Sequence, residues 1–378
     1  MMKLESFKAG ELRQRYQYKS FEPNPVNVEW YWEDPSINVL LEHATRKLGE
    51  LNAFSLVVPD IDLFIGMHVA KEAQTSSRIE GTQTGIEETL MSENEIRPEK
   101  RDDWREVNNY IEAVNTAIAE LKNLPLSSRL LKKTHAILMR GVRGERKHPG
   151  EFRISQNWIG GSSLSDATFI PPYHEGVADL MGDLEKFWHN EEISVPHLIR
   201  AAISHYQFET IHPFLDGNGR VGRLFIPLYL LSHGLLVKPS LYLSDFFEKN
   251  RASYYDSLMM VKVSNDLSQW VRFFLKGIEV TAAKGCDVFM KILALRNDVE
   301  KAVLTLGKRA PMAQEALNHF YRKPIVSAQE LVKVLKVSTP TANSLIKTLT
   351  ELNILTEITG QKRGRMYSFE RYLKLFVG

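Results

Sequence analysis

The sequence has little of what marks a secreted, membrane-spanning or polyanion-binding chain. Its 378 residues hold one cysteine, Cys286, which excludes an intramolecular disulfide framework or a cysteine-rich metal site and fits a reducing compartment. Nowhere do about eighteen apolar residues follow one another, the usual minimum for a membrane span. Met1 to Phe21 is dense in Lys, Glu, Arg and Gln and lacks the apolar run of a secretory signal. Neither charge sign dominates. A formal net charge of +2 gives no global field for nucleic acid or membrane, so any basic patch must be local. Internal repeats, low-complexity tracts and long Gly/Ser linkers are absent as well. A soluble cytoplasmic protein with no membrane partner is expected.

What is there is ordinary globular texture, 43% hydrophobic and 25% charged, in a chain long enough for two or three domains. Apolar positions recur at three-and-four spacing in Asn38 to Leu51, Val107 to Leu121, Ser128 to Met139, Val177 to Trp188 and Ser268 to Ile278, which predicts a mainly α protein. Another helix is expected from Ser194-Val195-Pro196 towards Phe208, with Ser194 as cap and Pro196 in its first turn. Between Pro149 and Pro172 the texture changes. Phe152 to Ser155, Asn157 to Ile159 and Thr168 to Ile170 are strand-like around Gly160-Gly161-Ser162-Ser163, so a β-hairpin flap is expected, stopped by Pro171-Pro172.

The clearest domain boundary lies near Lys284 to Lys308. Beyond it, Gln314 to Tyr321, Ala328 to Leu335 (capped by Ser327) and a helix from Ser338 or Thr339 to about Leu352 precede a hairpin of Ile354 to Ile358 and Arg365 to Phe369. Three helices and a two-stranded wing form the winged helix-turn-helix pattern.

The chemistry concentrates in His212 to Arg223, His-Pro-Phe-Leu-Asp-Gly-Asn-Gly-Arg-Val-Gly-Arg. Gly217 and Gly219 flank Asn218 and let backbone amides approach an anion, and the apolar run Leu224 to Leu231 indicates a helix following at once. Glycine amides and a helix amino terminus make a phosphate cradle. Arg220 and Arg223, with Val221 and Gly222 between them, extend this phosphate-binding stretch and place two guanidinium forks on neighbouring parts of one face. Asp216 offers a hard oxygen to a Mg²⁺ ion bridging phosphates. His212, with an intrinsic pKa near roughly 6.5, can accept a proton from a hydroxyl.

This string resembles the Fic family signature, His-x-Phe-x-Asp/Glu-Gly-Asn-Gly-Arg-x-x-Arg, at every position. The lead-in His205 to Ile211, the flap Asn157 to Pro172 and the set Leu241, Ser244, Phe246, Phe247, Asn250, Tyr254 and Tyr255 are similar too. The resemblance covers about residues 60 to 280. It implies a Fic-fold helical core at 101–283, an N-terminal helical region at 1–100, a connecting helix or linker at 284–308 and the winged helix at 309–378.

It also implies transfer of AMP from ATP to a Tyr, Thr or Ser hydroxyl of a protein, itself included. His212 would be the base, Asp216 the Mg²⁺ ligand, Gly217 to Gly219 the anion hole, and Arg220 and Arg223 the partners of the β and γ phosphates. Doc-type relatives carry lysine in place of the second glycine and transfer a terminal phosphate; Gly219 therefore favours AMP. Phe214 would fix the loop, and Glu106, Asn109, His135 and Arg153 would supply structural hydrogen bonds. Asn250, with Tyr254 and Tyr255, would meet the adenosine. His197, His205 and His233 have no metal-ligand spacing.

Ser76-Ser77-Arg78-Ile79-Glu80-Gly81 resembles the family's inhibitory motif, which implies that Glu80 takes Arg223 from the γ-phosphate, with Ser76 one helical turn away on the same face. Glu80 positioning water for AMP removal is the alternative. A target segment would lie along the flap from Trp158 to Ile170 by β-augmentation. Lys347, Lys362, Arg363 and Arg365 could meet DNA phosphates, or the winged helix could serve protein contact or homodimerisation. The rival reading is a DNA-binding regulator that only senses nucleotide.

Overall fold

Three helices are buried on nearly every side, and the rest of the chain wraps around them. The computed structural model describes residues 1–361 and 364–377. Its body comprises α1 (Pro35–Val57), α2 (Ile61–Ile79), α3 (Ile86–Leu90), α4 (Arg101–Glu120), α5 (Ser128–Leu138), α6 (Val177–His189), α7 (His197–Ile211), α8 (Asn218–Ser232), α9 (Ser244–Lys249), α10 (Arg251–Ser264) and α11 (Ser268–Leu304). The chain is mainly α, as expected. Helices α2, α7 and α8 form the centre, with α4, α9, α6, α5 and α11 packed on one or more of them. Each lacks a polar stripe, the mark of a helix enclosed by neighbours.

Helix α2 escapes a periodicity search for that reason. Glu72, Gln74, Thr75, Ser76 and Ser77 are all buried, so polar residues sit where an amphipathic pattern would place apolar ones. Helix α7 begins later than expected. Pro196 is its N-cap, and the Ser194 amide is turned to Glu29 at 2.9 Å. A residue before proline is pushed out of the helical region, so Val195 cannot open the helix.

The stretch ahead of α1 is extended rather than helical. Strand β1 (Met2–Lys3) pairs in parallel with β4 (Trp30–Tyr31), and β2 (Gly10–Gln14) forms an antiparallel hairpin with β3 (Lys19–Pro23). Pro23 and Pro25 remove helical donors there. The flap is reduced to one bridge: Ile159 and Phe169 exchange bonds of 2.8 and 3.0 Å. Between them Asp166 collects the amides of Ser162 and Ser163, a local turn that competes with a longer ladder.

Helix α11 runs unbroken through residues 284–304. After it come α12 (Ala310–Arg322), β5 (Ile325–Ser327), α13 (Ala328–Leu335), α14 (Thr339–Glu351), β6 (Thr356–Glu357), β7 (Met366–Ser368) and α15 (Glu370–Val377). Ser327 and Ser338 cap α13 and α14, as read from the sequence. Strand β7 lies between β5 and β6, so the expected hairpin gains a third strand. Helix α15, also unforeseen, returns to α11 and α2. Lys362 and Arg363 lie outside the described residues. No helix among the described residues is long and apolar enough to cross a membrane.

Helices α1 and α11 are tied at one end by Asp34, which caps α1 through the Ser36 amide at 2.9 Å and pairs with Arg272 of α11. A lost cap costs about 1 kcal/mol, whereas a partly exposed ion pair contributes about 0–1. Asp34→Ala should therefore lower unfolding free energy by about 1–2 kcal/mol in urea titrations. Asp34→Asn, which keeps the cap, should cost less than half of that; equal losses would show that the ion pair dominates.

Candidate active site

The chain turns sharply twice between α7 and α8. His212 ends α7 in the left-handed region at φ 51°, and Gly217 precedes α8 at φ 72°. A histidine tolerates that conformation only when its surroundings fix it. Here the His212 carbonyl accepts from Arg153 Nε at 2.9 Å and from Asn157 Nδ2 at 3.3 Å, while the Arg153 amide donates to Pro213 O at 2.9 Å. Arg153 is buried without a carboxylate, and burial lowers its pKa to about 10.

The loop between the turns is held from inside. Phe214 is fully buried and stacks on His135 with ring centroids 3.9 Å apart. The Asn218 side chain clamps Phe214, accepting from its amide and donating to its carbonyl, both at 2.8 Å. His135 Nδ1 accepts from the Gly150 amide at 2.8 Å, so its Nε2 donates to Asp216 O at 3.0 Å. Asn109 donates to Arg140 O at 2.6 Å, and Glu106 receives Arg143. Each residue expected in a supporting role thus holds the site's frame.

Gly217, whose added Cβ would sit 2.9 Å from Met139 Sδ, sends its amide to Asp216 Oδ1 at 2.7 Å. The amides of Asn218, Gly219 and Arg220 open α8, where helix geometry gives an N–H no partner and the macrodipole is positive. The next two residues belong to the interior. Val221 is fully buried with its amide on Gly217 O at 3.1 Å, and the Gly222 carbonyl meets His205 Nδ1 at 2.9 Å. The anion-facing stretch narrows to the three opening amides and two guanidiniums.

Those guanidiniums are buried. Arg220 reaches Glu106 at 3.4 Å and lies 3.9 Å from Asp216 Oδ1. Arg223 donates to Ser76 Oγ at 2.9 Å, Ser76 O at 3.0 Å and Glu80 Oε1 at 2.6 Å. Burial alone would raise the Glu80 pKa, but Arg223 more than offsets this and holds it below the carboxylate range. A side chain at Gly219 would place Cβ 2.4 Å from Glu80 Oε1, so the carboxylate lies directly against the first turn of α8. Arg223 is 1% exposed and Glu80 36%, which makes Glu80 the partner able to swing out.

His212 is half-buried, and its Nδ1 has no hydrogen-bond partner among the described residues. Burial, reinforced by the positive charge of Arg153, lowers its pKa to about 4. It is therefore firmly neutral at pH 7. Asp216 Oδ2 holds Lys147 Nζ at 2.9 Å, and Lys147 is 53% exposed.

Three nearby groups had no signal in the sequence. Lys147 comes from a distant loop. Glu209 of α7 is pushed up to about pKa 7 by burial, with Oε1 unpartnered among the described residues. Lys262 of α10 is pushed down to about 7 by burial and lies 3.3 Å from the Phe169 ring centre of the flap. Tyr254 is buried with its hydroxyl on His205 Nε2 at 2.9 Å, and Tyr255 is partly exposed. Asn250 donates to Phe246 O at 2.8 Å and lines a separate cavity. A cleft of about 750 Å³ elsewhere on the body shares no residue with the loop. Arg200 in its wall is spent on the carbonyls of Trp188, Asn190 and Ile193.

A model of the Fic/DOC family N-terminal region matches residues 39–119, and a Fic/DOC family model matches residues 125–230, enclosing the whole loop. The chain carries the N-terminal and Fic domains of the Fic/DOC family. Protein adenylyltransferase Fic of Drosophila erecta is 35% identical over 133 residues, 35% of this chain and 24% of that protein. The chain thus matches about a quarter of that relative's length. A Fic family protein from Desulfovibrio desulfuricans has the same fold, with TM-score 0.56 at 21% identity over 89% of this chain and 97% of its own. A Fic domain containing signaling protein from Bacteroides thetaiotaomicron gives TM-score 0.54 at 18% identity over 66% and 97%.

The Asn218 clamp has a measurable consequence. Asn218→Ala removes two hydrogen bonds and leaves the buried Phe214 amide without a partner, while the Phe214 carbonyl keeps Asn157 Nδ2 at 2.8 Å, so unfolding free energy should fall by about 1–3 kcal/mol. Chemical denaturation measures this; a loss under about 0.5 kcal/mol would show that the clamp does not hold the loop.

Proposed function

We propose that this chain is a protein adenylyltransferase, moving AMP from ATP to a Tyr, Thr or Ser hydroxyl of a target protein or of itself, and that Glu80 restrains it. The observation carrying this is the convergence on one loop of a neutral histidine, a helix amino terminus and two buried arginines. The relatives' designation as adenylyltransferases supports ATP as the donor.

The bond changes are simple. His212 takes the hydroxyl proton as the oxygen attacks the α-phosphorus, the bond from that phosphorus to the bridging oxygen breaks, and pyrophosphate leaves. The chain supplies positioning and electrostatics, as expected for phosphoryl centres. The opening amides of α8 and Arg220 receive phosphate oxygens, and Arg223 would hold the γ-phosphate once Glu80 withdraws. Asp216 fits a magnesium ligand: it is a hard, partly accessible oxygen beside the cradle, and its present ammonium partner sits on a flexible, exposed side chain. Bound there with ATP, the ion would neutralise charge between phosphates.

Glu80 restrains by competition. Its carboxylate takes the guanidinium and crowds Gly219, so a triphosphate cannot seat its end without displacing it. The flap from Trp158 to Ile170 would present the target, although the Ile170 carbonyl already accepts from Phe21 of β3 at 2.9 Å, which shortens the edge available for pairing. The helix and strand order from α12 to β7 suits a winged helix whose described basic groups include Lys347 and Arg365. Lys347 lies 3.8 Å from Glu351 and Arg365 donates to Gln361 O, so protein contact is favoured there over DNA.

With α-labelled ATP in a cell lysate, Glu80→Gly should label protein at least about tenfold more than wild type, and His212→Ala should abolish labelling in either background. Equal labelling by wild type and Glu80→Gly would remove Glu80 from the mechanism. Label from γ- rather than α-labelled ATP would replace AMP transfer by phosphate transfer.

Acid inactivation tests the base. Protonation of His212 removes activity, and its pKa lies below the usual histidine range. Removing Glu80 also removes a negative charge that raises this pKa, so the acid limb of kcat/KM for Glu80→Gly, which reports the free enzyme, should fall at or below about 4 rather than at the ordinary histidine value. A limb at the ordinary value would show a solvated histidine.

A further inference from the structure

Four cations fall between Arg140 and Lys147, in the turn that joins α5 to the flap, and the structure uses them unequally. Arg140 and Arg143 reach back to Glu112 and Glu106 of α4 at 3.0 and 2.9 Å, and Val142 between them is buried, so this part of the turn is fastened to the body. Arg146 makes no ion pair among the described residues. Lys147 alone reaches the catalytic loop, placing its ammonium 2.9 Å from Asp216 Oδ2.

The backbone builds that reach. Gly144 stands at φ 88°, open to glycine, and its carbonyl accepts the Lys147 amide at 2.8 Å, which closes a tight turn and brings the lysine back towards Asp216. A Cβ on Gly144 would lie 3.0 Å from Asp216 Oδ2 and 2.6 Å from Met139 Cε, so the turn is pressed against the same oxygen. Glu145, the one carboxylate in this stretch, accepts from the Gly141 amide at 3.0 Å and does not pair with Lys147. Asp216 Oδ1 already receives the Gly217 amide at 2.7 Å. Oδ2 is therefore the oxygen a cation would take, and an ammonium is on it.

The contact suits exchange. Lys147 is 53% exposed and Asp216 34%, and ion pairs this open contribute little to stability. A lysine ammonium is a compact, strongly hydrated charge on a flexible stem, so it leaves one oxygen for another readily. We propose that Lys147 is a place-holder for the divalent cation: it keeps a free dication off Asp216 Oδ2, and yields that oxygen to one carried on a nucleotide's phosphates, which receive the displaced ammonium in return. Metal and nucleotide are thereby loaded together. This rests on Asp216 as the metal ligand of the proposed reaction, but not on AMP being the group transferred.

The test uses the full chain and Mn²⁺, whose sharp free-ion EPR signal fades on binding. Without nucleotide, Mn²⁺ should bind Lys147→Met about three- to fivefold more tightly than wild type, and Lys147→Arg about as wild type does. Arg146→Met, one residue away, should change the affinity by less than about 1.5-fold, and Asp216→Asn should abolish the gain of Lys147→Met. Equal affinity in wild type and Lys147→Met overturns the place-holder. So does a gain matched by Arg146→Met, which would reflect charge anywhere in the turn, or one that survives Asp216→Asn, which would put the ion elsewhere. In calorimetry, the Mn²⁺ complex of ADP should bind Lys147→Met about threefold or more weakly than wild type, because the ammonium that meets the phosphates is gone. Equal binding there overturns the hand-over. Absence of labelling from α-labelled ATP by every variant would refute the transferase reading, while the Mn²⁺ series would still decide the role of Lys147.

Discussion

A buried arginine that cannot shed its proton governs this molecule. Arg223 is 1% exposed, and a guanidinium stays charged at any pH a folded protein meets. Its desolvation must be met by an anion and by oriented acceptors. Ser76 gives two oxygens and Glu80 the charge. That requirement explains why α2, a central helix, carries Ser76 in its last turn and Glu80 just beyond its end. It also explains why the C-terminal end of α2 must lie against the start of α8. The rest of the core is arranged so that these two helix ends meet.

The same requirement makes the site switchable. Breaking a buried ion pair by removing one partner is strongly unfavourable because a charge is left uncompensated. Exchanging one anion for another avoids that penalty. Glu80, partly exposed and one residue past the end of α2, can leave, and a phosphate arriving at the α8 amino terminus takes its place without Arg223 ever standing unpaired. Pro227 assists from the other side of Arg223. It cannot donate to the Arg223 carbonyl, so one rung of the α8 hydrogen-bond ladder is missing at that arginine.

The loop was legible in the sequence because its demands are local. First-turn amides behind glycines and arginines one helical turn apart follow from residues within twelve positions, whereas the left-handed turn at His212 and the Asn218 clamp on Phe214 appear only in the structure. Glu80 was legible only through resemblance, since nothing in Ser76 to Gly81 announces a partner so distant in the chain. The structure supplies that contact. Asn250, which the resemblance sets near the adenosine, donates its side chain to Phe246 O between α9 and α10 and lines the cavity beside α2. Lys147, Glu209 and Lys262 were not singled out individually because their contacts and burial come from segments far apart in sequence. The flap was over-read because strand-like residues say nothing about an Asx turn that spends their hydrogen bonds elsewhere.

One helix therefore reports to two places. At its C-terminal end α2 meets the nucleotide loop through Ser76 and Glu80. Nearer its start, Phe64 packs edge-on against Tyr321 of α12 at 5.4 Å, and His68 lies 5.1 Å from Phe376 of α15. A helix is stiff along its axis, and its side chains are close-packed at both ends, so displacement at either is felt at the other. The segment beyond α11 is thus mechanically part of the site's support. A shift of α2 of even a fraction of an ångström is felt at the 2.6 Å charge-assisted hydrogen bond between Arg223 and Glu80, where distance sensitivity is steepest.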